Sequence, residues 1–335
     1  MLKIAVLGCG RIGRMHAENI NSHQRATLVG VYDVVKEASR SVAQKLGVRE
    51  FESAAEIFAS AEVDAVLIAT STATHADFIE QAVAAGKPIL CEKPIDLSLA
   101  RVRCCAARIA GSDVPIMLGF VRRFDTGHRA VRQAIEAGQI GELHQVVITS
   151  RDPDIAPDAY IEVSGGIFRD MTIHDFDMAR FILGEEIETV TAAGARLVSP
   201  ALMERCDDWD TVSVLMTTAS GKQCVIGNSR RAVYGYDQRV EAFGNEGMAI
   251  SENRTESNLR LSRATFTDQA PPLQNFFIER YAQAFASEID AFVNAVEKGV
   301  APEVGFDDGE KALMLAEAAL LSVREGRTVR MEELG

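Results

Sequence analysis

A chain of 335 residues exceeds what one ordinary hydrophobic core accommodates, so two domains are expected. Hydrophobic residues are 47% and charged residues 25%, the balance of a globular protein folding in water, and the net charge of −13 argues against nucleic acid or anionic membranes as partners. The six cysteines, Cys9, Cys91, Cys104, Cys105, Cys206 and Cys224, show neither disulfide-framework nor zinc spacing, which points to a reducing cytoplasm. No apolar run is long enough to span a bilayer, and the opening run Leu2–Leu7 is too short for a secretory signal.

Residues 3 to 8 read as a buried parallel strand ending in Gly8-Cys9-Gly10-Arg11-Ile12-Gly13. A helix follows to about Ser22, then an apolar run from Thr27 to Tyr32 that ends at Asp33. In this context each glycine has a task. Gly8 permits the tight turn, Gly10 lets backbone approach a pyrophosphate, and Gly13 allows helix–strand packing. The helix N-terminus then faces the phosphates, and Asp33 suits a ribose 2′-hydroxyl. The alternation continues: helices over 35–46, 54–60, 76–85 and 97–110, and strands over 65–70, 88–91 and 116–119. Such a pattern implies a doubly wound parallel sheet with ligands at the carboxyl ends of its strands. Thr70, Ser71, His75, Lys93 and the 120–123 segment fall at those ends.

After about residue 122 the pattern becomes α+β. A helix over 127–137 precedes segments of antiparallel character at 143–151, 189–197, 211–217, 222–230, 239–243, 248–252 and 259–263. Val212, Val214 and Met216 alternate with Thr211, Ser213, Leu215 and Thr217, so the second face is only mildly polar and suits another subunit. Two helices, about 276–297 and 308–325, close the chain. The expected organisation is therefore a nucleotide-binding domain over 1–120 and a substrate and oligomerisation domain over 121–335, whose last helix is free to pack back on the first. Within the second domain, Gly165-Gly166 opens a helix on which Asp170, His174 and Asp177 share a face. An imidazole beside a carboxylate suits proton transfer. A solvated acidic face and a metal site on these three residues are the rival readings, the latter weakened by the lack of a second His or Cys at ligand spacing.

Gly8–Gly13 with Asp33, the Glu-Lys-Pro element Glu92-Lys93-Pro94, and Asp170-Met171-Thr172-Ile173-His174-Asp175 together resemble the glucose–fructose oxidoreductase / inositol dehydrogenase family, over essentially the whole chain. Gly119–Asp125 and Asp170–Asp177 are most similar to the inositol 2-dehydrogenases of bacteria. The resemblance implies NAD-dependent oxidation of a ring CH–OH in a small polyol, by a homo-oligomer, dimer or tetramer. It puts catalysis on Lys93, Asp170 and His174, and cofactor contacts on Gly8, Gly10, Arg11, Ile12, Gly13, Asp33, Val34, Thr70, Ser71, His75, Glu92 and Lys93. Lys93, Arg122, Asp152, Asp170, His174 and Tyr236 fall on the substrate positions, and no metal is implied. Asp152 stands where the related enzymes carry Asn, and Val121 where they carry Met. The rival activities are oxidation of another cyclic polyol or pyranose, glycoside hydrolysis with retained NAD, and NAD(P) sensing without turnover.

Overall fold

The computed structural model describes residues 1–335, which form two compact units, Met1–Val121 with Phe285–Leu313, and Arg122–Ala284 with Met314–Gly335. The first unit holds β1 (Leu2–Leu7), α1 (Arg11–Asn21), β2 (Ala26–Tyr32), α2 (Lys36–Leu46), β3 (Arg49–Glu50), α3 (Ala54–Ala59), β4 (Ala65–Ile68), α4 (His75–Ala84), β5 (Ile89–Cys91), α5 (Leu99–Ile109) and β6 (Ile116–Leu118). Its six-stranded parallel sheet has the order β3-β2-β1-β4-β5-β6. The order reverses at β1, the strand that carries the glycine loop, where an open α/β sheet leaves a crevice for ligand. Ile4, Ala5, Val6 and Leu7 are fully buried, as are Ala65 and Val66 of β4, so both faces of the central strands are covered.

The second domain read from the sequence runs over 121–335 with its last helix free to pack back on the first; in the structure residues 285–313, which include the start of that helix, belong to the first unit. The sheet edge gives the physical reason. β6 is the last strand, and Leu118 N–H donates to Val304 O (3.0 Å), so the returning chain satisfies an edge that water or another strand would otherwise take.

The second unit continues with α6 (Thr126–Glu136), β7 (Leu143–Arg151), α7 (Asp158–Ile161), α8 (Ile167–Asp170), α9 (Ile173–Leu183), β8 (Ile187–Ala195), α10 (Pro200–Arg205), β9 (Thr211–Thr218), β10 (Gln223–Ser229), β11 (Asp237–Gly244), β12 (Met248–Ser251), β13 (Leu261–Arg263), β14 (Phe266–Gln269) and α11 (Phe277–Arg280). The chain ends with α12 (Ala282–Lys298), α13 (Phe306–Glu325) and β15 (Val329–Arg330). A seven-stranded sheet has the order β12-β11-β7-β10-β9-β8-β15, antiparallel except for the β7–β10 pair, which is parallel. Three expectations shift. The 189–197 strand ends two residues early because Leu197, Val198 and Ser199 give their N–H groups to the Asp210 carboxylate (2.8, 2.8 and 2.9 Å) rather than to a ladder. Leu261–Arg263 pairs with Phe266–Gln269 in a separate hairpin and not in the large sheet. The 276–297 helix is broken at Tyr281 into α11 and α12.

The helix carrying Asp170 and His174 is also interrupted. Thr172 N–H reaches back five residues to Ile167 O (2.9 Å), and Asp175 N–H only three, to Thr172 O (2.8 Å). A wide turn followed by a tight one makes Asp170 the last residue of α8 and His174 the second of α9. A buried polar knot pins α9 to the sheet. Asp175, fully buried, accepts from Arg122 Nη1 (2.6 Å) and Asn228 Nδ2 (2.8 Å), while Thr172 Oγ1 donates to Asn228 Oδ1 (2.7 Å). Burial pushes the Asp175 carboxyl up against the pull of Arg122 and Asn228. Removing the carboxylate leaves the Arg122 guanidinium buried and unmatched, which costs about 3–5 kcal/mol. Urea denaturation is expected to show a loss of that size for Asp175→Ala and a smaller one for Asp175→Asn, which keeps a hydrogen-bond acceptor.

Candidate active site

The first unit presents a loop shaped for a dinucleotide. A Cβ on Gly8 (φ +98°) would lie 2.3 Å from Ala69 O, and one on Gly13 would lie 1.9 Å from Gly8 O, so β1, β4 and α1 meet at distances only glycine permits. A Cβ on Gly10 would touch nothing within 4 Å, which leaves its outer side open. No side chain caps the N-terminus of α1, in keeping with an end that receives a phosphate. Asp33 shapes the same loop: Oδ2 accepts Cys9 N–H (2.6 Å) and Oδ1 accepts Val35 N–H (2.8 Å). Beside it Val34 is 81% exposed, an apolar side chain held outward at the carboxyl end of β2. Arg11 is exposed and Ile12 half-buried in the first turn of α1.

At the end of β4, Thr70 Oγ1 pairs with Thr74 Oγ1 (2.7 Å), and Ser71 precedes a short 3-10 turn, Thr72–Thr74. His75, expected on the cofactor, is buried and holds backbone instead. Its ring nitrogens face Pro94 O (Nδ1, 2.8 Å) and Thr70 O (Nε2, 3.1 Å). Burial pushes the imidazole down, against the pull of the two carbonyl contacts. Glu92, also expected on the cofactor, directs Oε1 to His16 Nε2 of α1 (2.8 Å). Between these anchored neighbours sits half-buried Lys93, joined to Pro94 by a cis peptide.

The second unit assembles a separate polar group. Asp170 accepts Tyr160 Oη–H on Oδ1 (2.7 Å) and Arg230 Nη1–H on Oδ2 (3.2 Å). Arg230, among the largest fully buried side chains, also donates through Nη2 to Asp208 Oδ2 (3.3 Å), and Asp208 Oδ1 accepts the first N–H of α8, that of Ile167 (2.9 Å). One guanidinium thus sets both the carboxylate and the start of the short helix that bears it. Asp152 follows β7, with its N–H on Ser229 O (3.0 Å) and its carbonyl accepting Ala232 N–H (2.7 Å). Burial and the Asp170 charge push the Asp152 carboxyl up to about 6, against Arg230 and Arg122. Tyr236 is buried edge-to-face on Tyr281, with centroids 6.1 Å apart. Arg122, expected against substrate, gives Nη1 to Asp175 and Nη2 to Ser150 Oγ (3.2 Å), so its part is to hold α9 and to lower the cost of the Asp152 charge. Asp177 leaves the proposed Asp170–His174–Asp177 face: it forms a buried, two-pronged ion pair with Arg123 (2.9 and 2.5 Å). His174 is half-buried near the start of α9. Arg230 and Tyr160 carry no sequence signal; they reach Asp170 only because β10 lies parallel to β7 and α7 folds beside α8.

Residues 2–120 match the model described as "Oxidoreductase family, NAD-binding Rossmann fold", and residues 128–250 match the "GFO/IDH/MocA C-terminal domain". The chain belongs to the GFO/IDH/MocA oxidoreductase family. Its dinucleotide is NAD. An inositol 2-dehydrogenase of Rhizobium meliloti is 48% identical, with 98% of each chain covered. A probable dehydrogenase from Thermotoga maritima superposes with a TM-score of 0.97 at 43% identity, covering all of both chains. The scyllo-inositol dehydrogenase of Lactobacillus casei, solved with NAD(H) and scyllo-inositol, has a TM-score of 0.91 at 30% identity, covering 99% of each.

The raised Asp152 carboxyl has a consequence for stability in this oxidoreductase. A carboxyl that holds its proton more tightly when folded costs stability as pH rises from its unfolded value, 3.8, through its folded value, about 6. Asp152→Asn removes that cost. Urea melts are expected to show the variant more stable than the unmutated protein by on the order of 2 kcal/mol at pH 7.5, with the gap narrowing steadily as pH falls from 6 toward 4. A gap independent of pH would contradict it.

Proposed function

We propose that the chain is an NAD-dependent inositol dehydrogenase that oxidises one ring CH–OH of myo-inositol, or of a close stereoisomer, to a ketone. The observation that carries this reading is the polar set of the second unit. Asp152, Asp170, His174 and Tyr236 offer donors and acceptors and little apolar wall. Such a set suits a small ligand with a hydroxyl on every carbon, since each buried polar group needs a partner. The substrates named for the Rhizobium and Lactobacillus relatives support it.

When bound, NAD supplies a nicotinamide that accepts a hydride. The protein's own residues handle the proton. A secondary alcohol is a weak acid, and its C–H hydrogen leaves as hydride only as the O–H proton is taken. We assign His174 as the base that takes it, Asp170 as the carboxylate that supports the imidazolium, and Lys93 as the donor to the reacting oxygen as negative charge develops there. Tyr160 and Arg230 fix the Asp170 carboxylate through its two oxygens. The glycine loop, with Gly10, Arg11 and Ile12, receives the pyrophosphate. Asp33 accepts the ribose hydroxyls and disfavours a 2′-phosphate, which would meet its charge. Lys93→Ala, Asp170→Ala and His174→Ala are each expected to lower kcat by roughly 10²- to 10⁴-fold with NAD affinity nearly unchanged, and the losses are not expected to multiply. In a panel of inositols and pyranoses read as NADH formed, kcat/KM is expected to be highest for an inositol. A higher value for glucose would end the inositol assignment and leave the dehydrogenase in place.

The outer face of the large sheet supports a homo-oligomer, a dimer or a tetramer. Ile250, Glu241, Val147, Val225 and Leu215 stand in register across β12, β11, β7, β10 and β9, and Ile250 (40%) and Leu215 (42%) are exposed. A broad, mildly apolar sheet face of this kind fits a symmetric copy of itself. The six cysteines are all free, in accord with a cytoplasmic location. Sedimentation at micromolar concentration is expected to show the oligomer, and Leu215→Glu to shift it toward monomer.

A further inference from the structure

Lys93 is flanked by two anchors of different kinds. Behind it in the chain, Pro94 O is held by His75 of α4. Ahead of it, the Glu92 carboxylate is held by His16 of α1, and a third group faces the same place: Glu288, midway along α12. The ligand atoms of His16, Glu92 and Glu288 all lie within 4.8 Å of one another. Gly119 makes the room, since a Cβ there would sit 3.0 Å from Glu92 Oε2. The His16 ring is fixed in turn by the edge-to-face contact with Phe285 (5.5 Å, 88°), one turn before Glu288 on the same helix.

Glu288 has no role in the proton transfer assigned above, and it is expensive. The residue is 0% exposed, and neither carboxylate oxygen has a hydrogen-bond partner within the protein. An ionised carboxylate in that position would cost several kcal/mol. A neutral acid costs far less and carries an O–H that one water can relay to Glu92, whose ligand oxygen lies within 4.8 Å. Burial and the Glu92 charge both push the Glu288 carboxyl up, in the same sense. An apolar side chain would fill the space more cheaply, so a buried acid here calls for a task beyond packing.

We propose that His16 and Glu288 are positioning residues for Lys93: with His16 as one donor and neutral Glu288 as the other, they fix the Glu92 carboxylate and with it the backbone turn that aims the Lys93 amine at the reacting oxygen. The inference rests on Lys93 acting in the oxidation, as proposed above. It adds that residues on α1 and α12, acting through Glu92 and not on Lys93 itself, set the rate of that step.

The test separates positioning from packing. Glu288→Met keeps the volume and removes the buried acid, so its melting temperature is expected to equal or exceed that of the unmutated enzyme. Its kcat is expected to fall about tenfold, the worth of one hydrogen bond's misplacement, with KM for NAD unchanged. Glu288→Gln keeps an N–H donor without charge and is expected to restore kcat to within about threefold. His16→Gln, whose Nε2 stands in for the imidazole N–H, is expected to retain more activity than His16→Leu. Two results would overturn the proposal. One is Glu288→Met with full kcat. The other is Glu288→Gln as slow as Glu288→Met, which would mean that an ionised Glu288 is required; equimolar divalent metal in the purified protein, lost together with activity on chelation, would identify a cation site there instead. Because the unmutated enzyme is assayed with inositol in the same experiment, absence of its turnover would count against the inositol reading, while the ranking of variants on whichever polyol is oxidised still decides the positioning role.

Discussion

Asp175 is the constraint on which the second unit depends. A carboxylate with no exposure survives only if its charge is matched, and Arg122, Asn228 and Thr172 together form the match. The partners come from three places: the short turn that follows β6, the strand β10, and the turn between α8 and α9. Binding them to one buried charge fixes α9 over the sheet, so His174, one residue earlier, inherits a defined position. The interrupted helix follows from the same demand. A regular helix from Ile167 to Leu183 would not place both Asp170 toward Arg230 and Asp175 toward Arg122, and the wide turn at Thr172 resolves the conflict.

Carboxylates anchor the candidate site residues of both units. Around the glycine loop of the first, Asp33 gathers two loop N–H groups, and the Glu92 carboxylate is tethered by the His16 ring. In the second, arginines hold carboxylates: Arg230 serves Asp170 and Asp208, Arg123 serves Asp177, and Arg122 serves Asp175. For Asp152, burial and the neighbouring Asp170 charge outweigh Arg230 and Arg122, so its carboxyl rises to about 6. A group that changes charge near neutrality, next to a proposed proton-transfer pair, suits a site that recognises hydroxyls by both donating and accepting.

Much of the first unit was readable from residue order alone. Short apolar runs ending in Gly8, Asp33 or Thr70 mark parallel strands, and the loop glycines stand where the measured approaches leave no space for a Cβ. The family resemblance and its place at a strand end put His75 on the cofactor. Its two carbonyl contacts involve residues 5 and 19 positions away, and no local pattern reveals a pairing that depends on how β4 and β5 lie side by side. Asp177 was misplaced for a related reason. Helical spacing put it on a face with Asp170, but an arginine more than fifty residues earlier in the chain claimed it.

The sequence by itself determined the cofactor domain and the α+β character of the remainder, because periodicity, glycine geometry and short motifs are local properties of the chain, and it supplied the family resemblance on which the proposed roles of Lys93, Asp170 and His174 rest. Tertiary structure alone decided what surrounds them. The parallel pairing of β7 with β10, strands more than seventy residues apart, sets Arg230 beside Asp152 and Asp170. The return of residues 285–313 to the first unit closes the edge of β6 and delivers Glu288 to Glu92. Both depend on which strand edge and which buried charge still lack a partner once the local elements have formed, and that is a condition on the whole fold.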